Sequence, residues 1–212
     1  MQHTIRQCQN DTCAFRFPVS AHERGGAVCP ACGAPTQAML SYTSAIAPPP
    51  PPPTGPPVAA LLDNLRSVFN VGSIFRTSDG AGVRHLYLGG TTPTPAHPKL
   101  AKTALTAESA LDWSYERNSV TAARRLQAQG YRVWALESHP QAVSVFDRVS
   151  GETPVTPVLL IVGNEVSGVD PALLALCERI VFIPMLGSKE SLNVATAFGI
   201  VVYQLRFGRI TP

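Results

Sequence analysis

The sequence predicts an α/β protein with a mostly parallel sheet, preceded by a small domain held together by metal. Three observations predict it. From residue 58 onward, apolar runs of strand length alternate with helical stretches, which places helices on both faces of a parallel sheet. Eight of the 20 prolines lie between Pro48 and Pro57. Four of the five cysteines precede residue 33. The two clusters divide the chain into a zinc-ribbon-like domain over 1–46, a proline-rich linker over 47–57 and an α/β domain over 58–212.

Taken in order, the first element is the cysteine cluster. Cys8 and Cys13 are spaced C-x4-C, and Cys29 and Cys32 are spaced C-x2-C inside CPACG. Four thiolates in two short turns suit tetrahedral Zn²⁺. A ribbon of this size is too small to hold a core without such a staple. A closed four-cysteine shell leaves no open coordination position, so the zinc is expected to be structural. An iron–sulfur or redox role and chance clustering are the alternatives. His3 and His22 are possible substitutes for a cysteine, although surface positions suit them better. Cys177 lies in a helical pattern and reads as a buried, inert thiol.

The linker reads APPPPPPTGPP. Consecutive prolines fix φ and lack N–H donors, so an extended polyproline II spacer is expected. Docking of a proline-reading domain is the alternative.

In the α/β domain, Val58–Leu62 is a short apolar strand. Residues 70–81 carry helical spacing at Val71, Ile74, Phe75 and Ser78, with Asn70 as a possible cap and Gly82 as the stop. Val83–Gly89 is β-rich. Ser119–Gln129 is an amphipathic helix ended by Gly130. Tyr131–Glu137 and the fully apolar Val158–Val162 are strands. Asp170–Cys177 is a short helix with Asp170 as N-cap and Pro171 in its first turn. Arg179–Ile183 is a strand, and Leu192–Arg206 is the last helix. That helix is apolar nearly all round, so several of its sides are expected to be buried. One of those sides fits a partner subunit.

Composition narrows the class. Charged residues make up 15% of the chain and the net charge is +3, far from a charge-driven nucleic-acid coat. No apolar run approaches the roughly 20 residues of a membrane span. The start, MQHTIRQCQN, has no apolar signal region, so a cytoplasmic location is expected. There is no P-loop, no G-x-S-x-G and no H-E-x-x-H, and the lone G-x-G has His85 where a dinucleotide fold needs its third glycine.

Three segments are dense in polar residues where loops should follow strands. The first runs from Asp63 to Thr77 and holds Arg66, Asn70 and Arg76. Arg76 reads as a surface residue or as a functional one, and its apolar helix neighbours favour the latter. The second is GNEVSG at 163–168, whose glycines allow close backbone approach to a ligand at the carboxyl edge of the sheet. The third is IPMLGSKESLNVA at 183–195, a strand running through a loop into a helix, whose free backbone groups can read a base edge.

Together these motifs, N-x-x-x-x-x-R-T, GNE-x-x-G and IPM-x-G-x-x-x-SLNVA, resemble the three signatures of the SpoU/TrmH family of RNA ribose 2′-O-methyltransferases in the SPOUT superfamily. The resemblance covers Val58–Leu205. It implies an α/β fold with a C-terminal trefoil knot and S-adenosyl-L-methionine as methyl donor. Leu136, Gly163, Ile183, Ser191 and Leu192 match the cofactor-binding positions. It implies a homodimer with residues of both subunits at the active site, and tRNA or rRNA as substrate. By the same resemblance, Arg76 assists deprotonation of the ribose 2′-hydroxyl. An arginine normally stays charged, so an organising role fits it better than that of a free base. Asn70, Glu165 and Asn193 are expected to position Arg76, the ribose or the cofactor. Ser191 is expected to touch the cofactor or the nucleotide. Arg66, Arg84, Lys99 and Lys102 are candidates for phosphate contacts. A non-catalytic RNA-binding or assembly factor on the same fold is the alternative function, and an unrelated α/β domain carrying a ribbon is a more distant one.

Overall fold

The computed structural model of the chain describes residues 2–20, 25–45, 48, 52–147 and 156–208. It divides into two compact units, Met1–Pro51 and Pro52–Pro212.

The first unit is a three-stranded antiparallel sheet of β1 (Gln2–Cys8), β2 (Arg16–Ser20) and β3 (Thr36–Thr43), in the order β2-β1-β3. A bulge between Ile5 and Arg6 shifts the β1–β3 register. The turns after β1 and before β3 carry the two cysteine pairs.

The second unit runs β4 (Val58–Asp63), α1 (Val68–Ala81), β5 (Leu86–Gly89), α2 (Leu100–Ala104), α3 (Ala107–Ala110), β6 (Trp113–Glu116), α4 (Ser119–Ala128), β7 (Arg132–Leu136), β8 (Val143–Ser144), β9 (Val158–Val162), α5 (Pro171–Leu174), β10 (Arg179–Phe182) and α6 (Val194–Phe207). Among the described residues its seven strands form one parallel sheet in the order β6-β5-β4-β9-β7-β10-β8.

Side chains alternate across the sheet, and each face has its own core. Val58, Ala60, Leu62, Leu160 and Val162 point to one face, packed with Ile74 and Phe75 of α1 and Phe198 and Val201 of α6. Ala59, Leu61, Leu159 and Ile161 point to the other, against Ala123 and Leu126 of α4 and Leu173 of α5. β4 and β9 are buried along their whole length, which is why they read as unbroken apolar runs.

The expected helices and strands are present with ends shifted by up to three residues. Asp170 caps α5 with Pro171 at its first position, as expected. Three differences have physical causes. Ser67, not Asn70, caps α1: its hydroxyl accepts the Asn70 N–H at 3.3 Å, and Asn70 falls in the first helical turn. Residues 100–116 form two short helices and edge strand β6, whose Trp113 and Tyr115 alternate too briefly to register as a pattern. β8 has only two residues. Within the linker, residues 47 and 49–51 lie outside the described residues, as does His22. The end of the linker is seated: the Thr54 and Gly55 N–H groups both donate to the Arg206 carbonyl at 3.0 Å. A Cβ on Gly55 would overlap the Leu205 carbonyl. Among the described residues, no helix is long and apolar enough to cross a membrane.

Candidate functional site

The sheet places a cavity where its strand order reverses. The chain moves outward from β4 through β5 to β6, returns to β7, and only then fills the slot between them with β9. The loops leaving β4 and β9 are tied together at this carboxyl edge, where open α/β sheets bind ligands. A cavity of about 410 Å³ opens there, lined by residues following β7, β9 and β10 and by the start of α6.

Leu136, Gly163, Ile183, Ser191 and Leu192 all line it. So do Asn70, Glu165 and Asn193, and Arg76 does not. Gly163 sits where the chain doubles back on itself. The Asn164 and Gly168 backbones bond each other at 3.0 and 2.9 Å, and a Cβ on Gly163 would strike the Gly168 and Val169 backbone.

Glu165 ties the GNE loop to the start of α1. Its carboxylate accepts the Arg66 N–H at 2.8 Å, the Ser67 N–H at 3.1 Å and the Asn70 side-chain amide at 2.9 Å. Partial burial disfavours its charge, but the donors at Arg66, Asn70 and Ser67 prevail and hold Glu165 below the usual carboxylate range. The Asn70 carbonyl oxygen in turn accepts the Asn193 amide at 3.0 Å. Asn193 completes the chain as the N-cap of α6, its oxygen accepting from Ala195 at 3.0 Å and Thr196 at 3.4 Å. Glu165, Asn70 and Asn193 thus form one hydrogen-bonded string joining the GNE loop to the starts of α1 and α6.

Several contributors were not singled out in the sequence. Asn164 donates to the Asn64 carbonyl at 2.6 Å and turns its own loop by accepting from Val166 and Ser167. Asn64 has φ +55°, a conformation asparagine tolerates, and accepts the Thr91 N–H at 3.1 Å. Glu137 accepts from Ser138 at 3.0 Å and Val169 at 2.8 Å at the cavity wall. The signal for Asn164 lay inside the GNE motif. Glu137 stood alone in sequence, with no motif to mark it.

The remaining candidates do not line the cavity, although the Arg66 backbone N–H reaches Glu165 beside it. Arg76 is exposed, six residues and about 9 Å along α1 from Asn70. Arg66, Lys99 and Lys102 are exposed. The backbone N–H of Arg84 donates to the Val58 carbonyl, which puts it at the amino-terminal edge of the sheet, away from the cavity.

In the first unit, the sulfurs of Cys8, Cys13, Cys29 and Cys32 lie within 4.8 Å of one another, with Cys8–Cys32 at 3.4 Å and Cys13–Cys29 at 3.9 Å. A tetrahedral zinc–thiolate shell has sulfur–sulfur edges of about 3.8 Å. The donor set and its spacing therefore fit such an ion. His3 is outside the cluster, paired with Ser44 and stacked on Tyr42.

Residues 57–203 match the model of the SpoU rRNA methylase family. The chain belongs to that family. Among SpoU relatives, it is 33% identical to the 23S rRNA (guanosine(2553)-2′-O)-methyltransferase RlmP of Bacillus subtilis (strain 168), over 69% of this chain and 56% of that protein. It is 30% identical to a tRNA (guanosine(18)-2′-O)-methyltransferase of Aquifex aeolicus (strain VF5), over 67% of this chain and 65% of that protein. The AdoMet-bound rRNA methyltransferase of Sinorhizobium meliloti superposes with a TM-score of 0.65 at 27% identity, covering 73% of this chain and 57% of that one. The chain thus spans 56–65% of the length of these two sequence relatives, and the SpoU part lies within the second unit.

Proposed function

We propose that the chain transfers a methyl group from S-adenosyl-L-methionine to a ribose 2′-hydroxyl of tRNA or rRNA. The observation that carries this reading is the cavity at the strand-order reversal, bordered by the Glu165–Asn70–Asn193 string. Its volume suits a small cofactor, and its wall combines apolar Leu136, Ile183 and Leu192 with a few polar groups. Among the described residues, the backbone N–H groups of Met185–Asn193 donate to no other group, which leaves the loop free to read a ligand edge. Glycine at 163 lets the loop that walls the cavity fold back against the Gly168–Val169 backbone.

When bound, S-adenosyl-L-methionine supplies a methyl group already activated on a cationic sulfur. What the protein must add is a held, deprotonable hydroxyl. The Glu165–Asn70–Asn193 string keeps the GNE loop, α1 and α6 in one geometry, and Asn70 and Asn193 border the space the ribose enters. Arg76 organises charge at the hydroxyl.

Arg76 sits on an exposed face of α1 outside its own chain's cavity, which supports a homodimer in which it serves a neighbouring site. Phe69 stands one heptad before it and is 64% exposed. Tyr203 of α6, 46% exposed, borders the same face, its hydroxyl 2.9 Å from where a Cβ on Gly80 would lie. Apolar groups left open around a functional arginine suit a subunit interface. The trefoil threading of the C-terminal segment belongs to the same reading. So do structural Zn²⁺ on Cys8, Cys13, Cys29 and Cys32, the division into 1–46, 47–57 and 58–212, and a cytoplasmic location.

Calorimetry with S-adenosyl-L-methionine and methyl transfer to cellular RNA test the proposal. The expected result is stoichiometric cofactor binding, a new 2′-O-methyl group, and loss of transfer in Arg76→Ala with binding retained. Cofactor binding without transfer to any cellular RNA would favour a non-catalytic factor and overturn the reading.

A further inference from the structure

We propose that the open face of the N-terminal sheet binds unpaired nucleotides of RNA; the choice of RNA over a protein partner rests on the methyltransferase reading. Residues directly opposite in antiparallel strands share a face. The register therefore sets His3, Ser20 and Tyr42 in one row, Ile5, Pro18 and Leu40 in the next, and Gln7, Arg16 and Gln37 in a third.

The opposite face is covered at its Arg6–Thr36 end, while Ala38 and Ser41 farther along it are exposed. Arg6 lies along it and donates to the Thr36 hydroxyl at 2.8 Å and the Thr36 carbonyl at 2.9 Å. Gly26 packs on Arg6 so tightly that a Cβ there would come within 2.6 Å of its side chain. On the first face, Leu40 is 57% and Tyr42 42% exposed among the described residues.

The chemistry of that face is selective. The Tyr42 ring stacks with His3 at 5.4 Å between centroids and 29° between planes, which holds it ready to take a base. Arg16, at the other end, is exposed, and its side chain makes no ion pair or hydrogen bond among the described residues. β1, β2 and β3 contain no aspartate or glutamate, so nothing on the strands repels a phosphate. A held aromatic, an apolar neighbour, side-chain amides and an unpaired cation form the combination that binds single strands: bases stack and the backbone is neutralised.

The test uses the full chain, with fluorescence anisotropy of a labelled single-stranded RNA 12-mer of mixed sequence and of the matching duplex. Tyr42→Ala should weaken single-strand binding about tenfold. Tyr42→Phe should restore it, and duplex binding should change less. Arg16→Glu should weaken binding and lower the log–log salt slope by about 0.7. Zinc content and cofactor binding are measured on each variant; should Tyr42→Ala lose its metal, Arg16→Glu carries the test. Unchanged single-strand affinity in zinc-loaded variants overturns the proposal, whether or not a protein partner is lost. Failure of the unmodified chain to bind S-adenosyl-L-methionine would sink the methyltransferase reading while leaving this measurement to stand.

Discussion

Replacing Glu165 with glutamine changes one oxygen to an amide nitrogen and removes the charge that three donors converge upon. Glutamine can keep its oxygen toward Ser67 and Asn70, at the positions now 3.1 and 2.9 Å away. Its NH₂ then faces the Arg66 N–H, donor against donor, where a 2.8 Å bond stood. A hydrogen bond to a charged group contributes about 1.5–3 kcal/mol. Glu165 is exposed, so solvent reduces this, and a loss of about 1–2 kcal/mol is expected. Both tryptophans, Trp113 and Trp134, lie in the second unit, so urea denaturation followed by tryptophan fluorescence reports on that unit alone. The sign with pH is determined. Glu165 titrates lower in the folded chain than its ordinary value of 4.5, so its contribution is fully present above 4.5. It is lost as pH falls through the depressed folded value. The stability gap between wild type and Glu165→Gln should therefore be constant near neutrality and narrow in acid. A gap absent at pH 7, or one that widens in acid, would refute the reasoning.

Three other outcomes follow from the same geometry. Gly163→Ala drives a Cβ into the Gly168–Val169 backbone, so cofactor affinity by calorimetry should fall at least tenfold, with about 1–3 kcal/mol lost in denaturation. Cys32→Ser removes one of four thiolates; metal analysis should show zinc reduced from one per chain, while tryptophan fluorescence of the second unit stays unchanged. Arg206 donates to the Ala81 carbonyl at 3.1 Å and the Pro56 carbonyl at 2.8 Å, so Arg206→Ala should release the linker's end and speed limited proteolysis around residues 52–57.

Much of the α/β unit was legible because parallel central strands must be apolar on both faces. VAALL and VLLIV announced β4 and β9 for that reason. The cap at Asp170 was legible because its signal is local. The cap at Ser67 was not, since Asn70 offered an equally plausible side chain three residues on. What separated them is Glu165, ninety-five residues later, which claims the Asn70 amide and leaves Ser67 to close the helix. Short pieces such as β6 and β8 have too few residues for alternation to stand out and depend on neighbours supplied by the fold. Of the residues at the cavity, those within dense polar motifs could be named in advance. Glu137 could not, because its role comes from the proximity of Val169, 32 positions away.

The late arrival of β9 in the sheet has a kinetic meaning. Val58 pairs with Val158, a separation of 100 residues, and β4 and β7 cannot join until the intervening strand is laid between them. During synthesis, the inner edges of β4 and β7 must wait unpaired until residues beyond Val162 have left the ribosome. Central closure that depends on so distant a segment is slow compared with hairpin or helix formation. In the interval the nascent chain carries two unpaired strand edges, and a refolding experiment that is stopped early will find helices formed around a sheet still missing its middle strand.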